Sequence, residues 1–202
     1  MKIIFMNRFI FCLLFVFSYT FSSAQSYHSE LGVEIQAASF SAQGGTFGGA
    51  LKFAFVEEET IAFGPSLRYQ YMFSNNTYLG TSGKSFTLGG GGFFHYRFLD
   101  WFYLGTELEV LKNPFNYMVP DKKWTLTAFI GGGISRDFGF VRLNAGILYD
   151  VVDGLNNPNL SNPSPLSRDY FLKISDPTNP NMGKYVPLIY RITFFFPLNR
   201  NR

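Results

Sequence analysis

The sequence predicts an all-β protein: an eight-stranded antiparallel up-and-down transmembrane β-barrel, preceded by a cleaved N-terminal signal peptide. Three observations lead to this prediction. Apolar and polar side chains alternate through eight segments of about ten residues, as in strands with two different faces. Aromatic residues make up 19% of the chain and charged residues only 15%, against roughly 25% charged residues in a soluble domain. Short and long connections alternate between the segments.

Residues 1–24 are typical of a secretory signal peptide. Lys2 and Arg8 give a positive start, residues 9–17 are apolar, and small residues precede a cleavage point before Gln25. The apolar run is too short to cross about 30 Å of hydrocarbon as a helix. We therefore expect a signal peptide and not a membrane anchor.

The only cysteine, Cys12, lies inside this apolar run and does not follow small residues, which argues against a lipoprotein. The mature domain, residues 25–202, then has no cysteine, which excludes a disulfide framework and a thiolate zinc site. Loss of Lys2 and Arg8 lowers the formal net charge from +3 to +1. So small a charge gives no reason to expect nucleic acid as a partner.

The first three strands are predicted at about 27–39, 47–55 and 60–73. In each of them, large apolar residues alternate with glycine or polar residues. The acidic residues 57–59 form the turn between the second strand and the third. Pro65 lacks a backbone N–H, so it predicts a local break or bulge in the third strand.

Residues 84–112 predict a hairpin that supplies strands four and five, with its turn at Leu99 and Asp100. Most even positions from Phe86 to Val110 in both strands are large apolar residues, with Gly90, Gly92 and Thr106 as the exceptions. The opposite face carries glycines together with His95, Arg97, Glu107 and Glu109.

The last three strands are predicted at about 123–135, 141–150 and 189–196. A turn at 136–139 joins the first two of these. The long segment 153–185 contains five prolines, which favour a stiff, extended course over a helix. Its length for a connection implies function or disorder.

The connections predict that the two ends of the barrel differ. Short turns follow strands two, four and six, whereas long polar connections follow strands three, five and seven, at 75–83, 113–122 and 153–185. In an antiparallel barrel all the short turns then lie at one end, as in bacterial outer-membrane barrels.

Alternation alone leaves open which face points outward. A soluble lipocalin-like barrel would turn its apolar face inward to form a ligand pocket. Eight strands, however, enclose an interior only just wide enough for side chains, and the apolar face here is too bulky for it. We therefore expect Phe53, Leu104 and Ile147 to point outward, with glycines and balanced charges inside. The predicted lumen charge network consists of Glu30, Glu34, Lys52, Arg68, His95, Arg97, Glu107, Glu109, Arg142, Asp150 and Arg191.

No motif predicts a catalytic, cofactor-binding or metal site. Residues 83–85 resemble part of a phosphate loop, but a strand follows them where a helix is needed. The two histidines of the chain, His28 and His95, make a multi-histidine metal site improbable. His95 with Glu107 or Glu109 could act as a base and its orienting group. Because His95 lies towards the short turns, we favour a structural salt bridge.

The signal peptide, the eight alternating strands and the loop asymmetry resemble the small eight-stranded outer-membrane barrels of the OmpA/OmpX type. The resemblance covers most of 26–198 and is one of architecture. It implies a place in the cell outer membrane of a Gram-negative envelope, in contact with outer-membrane lipid, after insertion by the barrel-assembly machinery. Barrels of this type usually end on an aromatic residue, whereas here residues 197–202 follow Phe196.

Three functions remain open from the sequence. The first is a structural or loop-presenting binding module without enzymatic activity. Its partner-contact patch would be Arg168, Asp169, Tyr170, Phe171 and Leu172. The second is an accessory subunit of an outer-membrane assembly, secretion or uptake complex, packed against another outer-membrane protein. The third, disfavoured, is a lipid-modifying enzyme of the outer membrane.

Overall fold

The computed structural model describes residues 27–41, 44–76, 81–112, 124–156, 170, 172–175, 178–179 and 185–198. The prediction of a signal peptide falls on residues 1–24, which lie outside these ranges.

Eight strands close into a barrel in the order β1-β10-β7-β6-β5-β4-β3-β2, and β8 and β9 form a separate two-stranded sheet. Every barrel strand pairs antiparallel with its neighbours. The predicted eight-stranded antiparallel up-and-down barrel is therefore confirmed. The elements are β1 (Tyr27–Ser41), β2 (Gly44–Glu57), β3 (Ile61–Asn76), β4 (Thr81–Phe98), β5 (Phe102–Lys112), β6 (Trp124–Asp137), β7 (Arg142–Asp150), α1 (Val151–Asn156), β8 (Leu172–Lys173), β9 (Tyr185–Val186) and β10 (Leu188–Pro197).

The two faces of the barrel have opposite polarity, and the apolar face points outward. In β5 burial alternates strictly from residue to residue, with Leu104 and Leu108 exposed and Glu107 and Glu109 buried. Phe53 and Ile147 are also exposed, as predicted. The period of two follows from the pleat of the strands.

One connection is shorter than predicted. β3 and β4 continue to pair as far as Asn76 and Thr81, so only residues 77–80 lie between the two strands. The expected loop at 75–83 was therefore too long, because its Asn, Ser, Thr and Gly residues, typical of turns, pair as strand ends. Residues 113–123 separate β5 from β6, and residues 151–187 separate β7 from β10.

Pro65 interrupts the pairing of β3 with β2 without shifting its register. The register between β2 and β3 passes from Lys52 opposite Ser66 to Phe55 opposite Phe63, with no pairing in between. Because the register is the same on both sides of the gap, the strand has the predicted break but no bulge. On its other edge, Pro65 lies opposite Gly92 of β4.

The long segment begins with a helix where an extended course was predicted. The backbone N–H of Asp153 donates to Asp150 Oδ1 at 3.1 Å, so Asp150 caps the N-terminus of α1. The six residues of α1 contain no proline, and the prolines that argued against a helix come later. Among the residues that the structure describes, no helix has the length and apolar character that crossing a membrane requires.

Two of the short turns place non-glycine residues in the left-handed region. Glu58 and Glu59 have φ angles of 49° and 61°, and Leu99 and Asp100 both have 54°. The backbone N–H of Thr60 donates to the carbonyl of Glu57 at 3.0 Å. Positive φ at both central residues is typical of the type I′ turn, which matches the twist of a hairpin.

We predict that Gly146→Ala destabilises the barrel, because a Cβ there would lie 2.3 Å from the Tyr103 hydroxyl and 2.7 Å from the Gly132 carbonyl oxygen. Overpacking of this kind costs about 1–3 kcal/mol. Gly83→Ala is the matched control, since nothing lies within 4 Å of its added Cβ. Denaturant unfolding of both variants checks the prediction. Equal midpoints would show that Tyr103 can move away from β7.

Candidate functional site

The middle of the lumen holds a neutral cluster of six charged side chains, which we call the central charge cluster. Its carboxylates are Glu34, Glu107 and Glu109, and its cations are Lys52, Arg68 and Arg191. They come from β1, β2, β3, β5 and β10, so the cluster crosses the lumen from one wall to the other. All six side chains are almost fully buried.

Lys52 joins β2 to both β1 and β5. Its Nζ lies 2.6 Å from Glu34 Oε2 and 2.6 Å from Glu107 Oε1. The ammonium also lies 5.1 Å from the ring centre of Phe93, within the range of a cation–π interaction. One buried cation is thus neutralised by two carboxylates from different strands.

The two arginines complete the central charge cluster from opposite sides. Arg68 donates from Nε to Glu109 at 2.8 Å and from Nη2 to Glu34 at 2.5 Å. Its Nη1 donates to the Gln36 side chain at 2.9 Å. Arg191 donates from Nη1 to Glu107 and lies 3.4 Å from Glu109 through Nη2. Because an unpaired buried charge is very costly, this mutual pairing makes the polar lumen tolerable.

A second set of ion pairs lies at the short-turn end. Arg97 Nη2 donates to Glu30 Oε2 at 2.6 Å. Arg142 Nη2 donates to Glu59 Oε2 and Asp137 Oδ2, each at 3.0 Å. Glu59 lies in the turn between β2 and β3, and Asp137 is the last residue of β6. Neither was among the predicted network residues. Arg142 is therefore separate from the central charge cluster.

A layer of rings lies between these two charged sets, and His95 is at its centre. The imidazole lies 5.0 Å from the ring of Phe93, 4.9 Å from Tyr103 and 6.0 Å from Phe195. Its Nε2 is 3.4 Å from Glu107 Oε1. His95 is only 1% exposed, so a substrate has no direct approach to the His95–Glu107 pair.

Tyr170, from the long segment, packs into the loop end of the barrel. Tyr170 is 5% exposed and packs with Phe129, Leu148 and Ile189. Its hydroxyl donates to Asp153 Oδ2 at 2.5 Å and is 3.4 Å from Asp150 Oδ2. Asp150 therefore caps α1 and contacts Tyr170, and it is not part of the central charge cluster.

The structure thus brings six of the predicted network residues together, places His95 beside Glu107, and distributes the other four towards the two ends. Glu30 pairs with Arg97, Arg142 pairs with Glu59 and Asp137, and Asp150 lies at the loop end. Aromatic side chains also fill the lumen, although only glycines and charged residues were predicted to lie there. Strand parity alone could have shown that Phe93, Tyr103, Phe129 and Phe195 face inward.

The predicted partner-contact patch is only partly described. Arg168, Asp169 and Phe171 lie outside the described residues, and Leu172 begins β8. Tyr170, proposed as a contact residue, is instead buried in the mouth of the barrel. Any contact surface on this segment would therefore lie beside Tyr170 and would not include its side chain.

The arrangement is suited to holding a barrel together and closing its lumen. Four layers follow one another along the barrel axis. They are the ion pairs at the short-turn end, the rings around His95, the central charge cluster, and Tyr170 with the apolar residues that it contacts. Comparison of the chain with protein-family models, with curated proteins and with solved structures gave no match.

Proposed function

We propose that this chain is an outer-membrane β-barrel protein of the OmpA/OmpX architecture, acting as a structural or loop-presenting binding module. One observation carries the proposal: charged side chains are buried inside the barrel, whereas large apolar side chains are exposed outside. A barrel in water would bury its apolar face, and a barrel in lipid exposes it.

The exposed apolar surface encircles the barrel. Soluble monomers rarely expose contiguous apolar patches beyond a few hundred Å², and a continuous belt is what hydrocarbon requires. Each of the eight barrel strands contributes exposed large apolar residues, among them Ile35, Leu51, Leu67, Leu88, Leu108, Ile130, Ile147 and Ile192.

The topology supports an orientation and a location. In barrels of this architecture the short turns face the periplasm and the long connections face outward. The proposed location is the cell outer membrane, with lipid around the belt and the barrel-assembly machinery as the partner during insertion. The segment 153–185 would then reach the cell exterior and be held to the barrel mouth by Tyr170.

The role we propose is not enzymatic. His95 is enclosed by three rings, and the carboxylates of the central charge cluster are all paired with its cations. Neither arrangement offers a free general base near the outer rim, where a lipid-modifying enzyme would meet its substrate.

A second candidate is an accessory subunit of an outer-membrane assembly, secretion or uptake complex. Outward-facing rings contact one another across β2, β3 and β4, for example Phe47 with Tyr71 at 5.2 Å and Phe55 with Phe63 at 5.8 Å. Such a ring-rich wall could pack against another barrel. Co-purification in mild detergent would separate this candidate from a protein that acts alone.

The proposed membrane location is tested with the two tryptophans. Trp101 lies in a turn at one end, Trp124 begins β6 at the other, and they are 53% and 54% exposed. We expect lipids brominated near the headgroup to quench both more strongly than lipids brominated at the chain ends, because aromatic residues gather at both interfaces. The variants Trp101→Phe and Trp124→Phe assign the signal to each end. Emission unaffected by any brominated lipid would refute the membrane location.

Loop presentation requires a separate test. Pull-downs from intact outer membranes with the full chain are compared with those of a variant shortened within residues 157–168. This variant keeps α1 and Tyr170, together with the residues that Tyr170 contacts at the barrel mouth. Loss of a captured partner in the shortened variant alone is the expected result.

A further inference from the structure

Three side chains with metal-ligating atoms converge at the short-turn end, apart from the central charge cluster. His28 and Glu30 lie two residues apart on one face of β1, and Glu59 lies in the turn between β2 and β3. His28 Nε2, Glu30 Oε1 and Glu59 Oε1 all lie within 4.8 Å of one another. We propose that they form a binding site for a divalent transition-metal ion of the Zn²⁺ class. This proposal does not depend on the membrane location.

The distances between the donor atoms suit an ion with tetrahedral coordination. Zinc–ligand bonds of 2.0–2.2 Å place two ligands about 3.4 Å apart. His28 Nε2 lies 3.3 Å from Glu30 Oε1 and 3.9 Å from Glu59 Oε1. Glu59 Oε1 would have to move about 0.5 Å closer to His28 Nε2 to meet that spacing, and it already lies within 4.8 Å of Glu30 Oε1. The Glu59 side chain is 42% exposed, so it has room to do so.

Two arginines hold the carboxylates in the orientation that the site needs. Arg97 Nη2 lies 2.6 Å from Glu30 Oε2, and its Nη1 makes a longer contact of 3.3 Å with Oε1. Arg142 Nη2 lies 3.0 Å from Glu59 Oε2. Glu30 makes its shorter guanidinium contact through Oε2, and Glu59 contacts Arg142 through Oε2. In both residues Oε1 is the oxygen near His28 Nε2. Outer hydrogen bonds orient the ligands of a metal site.

An ordinary ion pair explains only part of this arrangement. A hydrogen bond between His28 and Glu30 accounts for the 3.3 Å contact, but it does not require a second carboxylate oxygen beside the same nitrogen. The three donors are one nitrogen and two oxygens, a set that suits zinc better than calcium or magnesium, which prefer oxygen ligands.

Three protein ligands would leave a fourth position for water. A cavity of about 360 Å³, lined by Glu59, Arg97 and Arg142 among others, lies beside the site. It gives solvent access to Glu59, whereas His28 and Glu30 are not among its lining residues. A bound ion would also link the beginning of β1 to the turn between β2 and β3.

The proposal is tested by titrating Zn²⁺ into the purified folded protein in detergent, by calorimetry, and by recording the visible spectrum of the Co²⁺ form. We expect one Zn²⁺ per chain, and binding weaker by about tenfold or more in His28→Ala and Glu59→Gln. Glu58→Gln is the matched control, because it makes the same change in the same turn outside the cluster. Circular dichroism verifies that each variant is folded before the titration.

Two results would overturn the proposal. One is the absence of saturable Zn²⁺ binding in the wild-type protein. The other is weakening by Glu58→Gln equal to that by His28→Ala, which would indicate diffuse attraction to the acidic turn. Ca²⁺ provides an independent comparison: it should not displace Zn²⁺, and displacement at equal concentration would contradict the mixed nitrogen and oxygen site.

Discussion

Glu34→Gln is expected to lower the free energy of unfolding by about 3–5 kcal/mol, the usual cost of breaking a buried ion pair from one side. Glu34 receives Lys52 Nζ at 2.6 Å and Arg68 Nη2 at 2.5 Å, and Thr193 Oγ1 at 3.2 Å. The substitution leaves three cations in the central charge cluster with two carboxylates. Urea unfolding of the folded barrel, followed by circular dichroism, measures the change.

Two further variants show whether the loss comes from the buried charge. Glu58→Gln makes the same change at an exposed turn residue and should stay within about 0.5 kcal/mol of wild type. Glu34→Gln combined with Lys52→Met removes one charge of each sign, so it should lose less than the two single losses added together. If Glu34→Gln unfolds at the wild-type midpoint, the central charge cluster does not hold the barrel walls together.

The strands and their faces could be predicted from the sequence because the pleat gives each face a period of two. Residues such as Leu104 and Glu107 differ in parity, and parity alone assigns them to opposite sides of β5. Asn75 and Ser82 were assigned to a loop because Asn and Ser are typical of turns and show no alternation of apolar and polar residues. Strand ends are poorly specified by alternation, so the connection between β3 and β4 was predicted to be too long.

The pairing inside the lumen could not be predicted in the same way. Which cation meets which carboxylate depends on the stagger of strands that lie far apart in the chain, such as β3 and β5 for Arg68 and Glu109. Alternation carries no information about that stagger. The prediction consequently named the charged residues of the lumen but not which of them pair. It also grouped Arg142 with charges that it does not contact.

Tyr170 shows a second limit. Its burial depends on the long segment returning to the barrel mouth, where Asp153 accepts its hydroxyl hydrogen bond. The sequence around Tyr170 shows no alternation that would predict this burial, because a single residue makes the contact with a distant part of the barrel. A search for aromatic residues within long polar connections would have identified Tyr170 and its neighbour Phe171 as candidate anchors.

Leu108→Lys is expected to destabilise the barrel by about 2–4 kcal/mol in lipid vesicles, as for a lysine facing lipid at the bilayer midplane. Leu108 lies near the middle of β5 and is 57% exposed. In the proposed membrane location its side chain therefore contacts hydrocarbon. Urea unfolding from vesicles, followed by tryptophan emission, measures the change.

Leu99→Lys is the matched control, because Leu99 is exposed in the turn between β4 and β5. A lysine close to the interface costs about 0–1 kcal/mol, so the two variants should differ clearly. In a barrel surrounded by water, both substitutions would stay within about 0.5 kcal/mol of wild type. The difference between the two leucines therefore measures depth in a membrane. Equal midpoints would mean that the apolar belt is not covered by lipid, whatever else covers it.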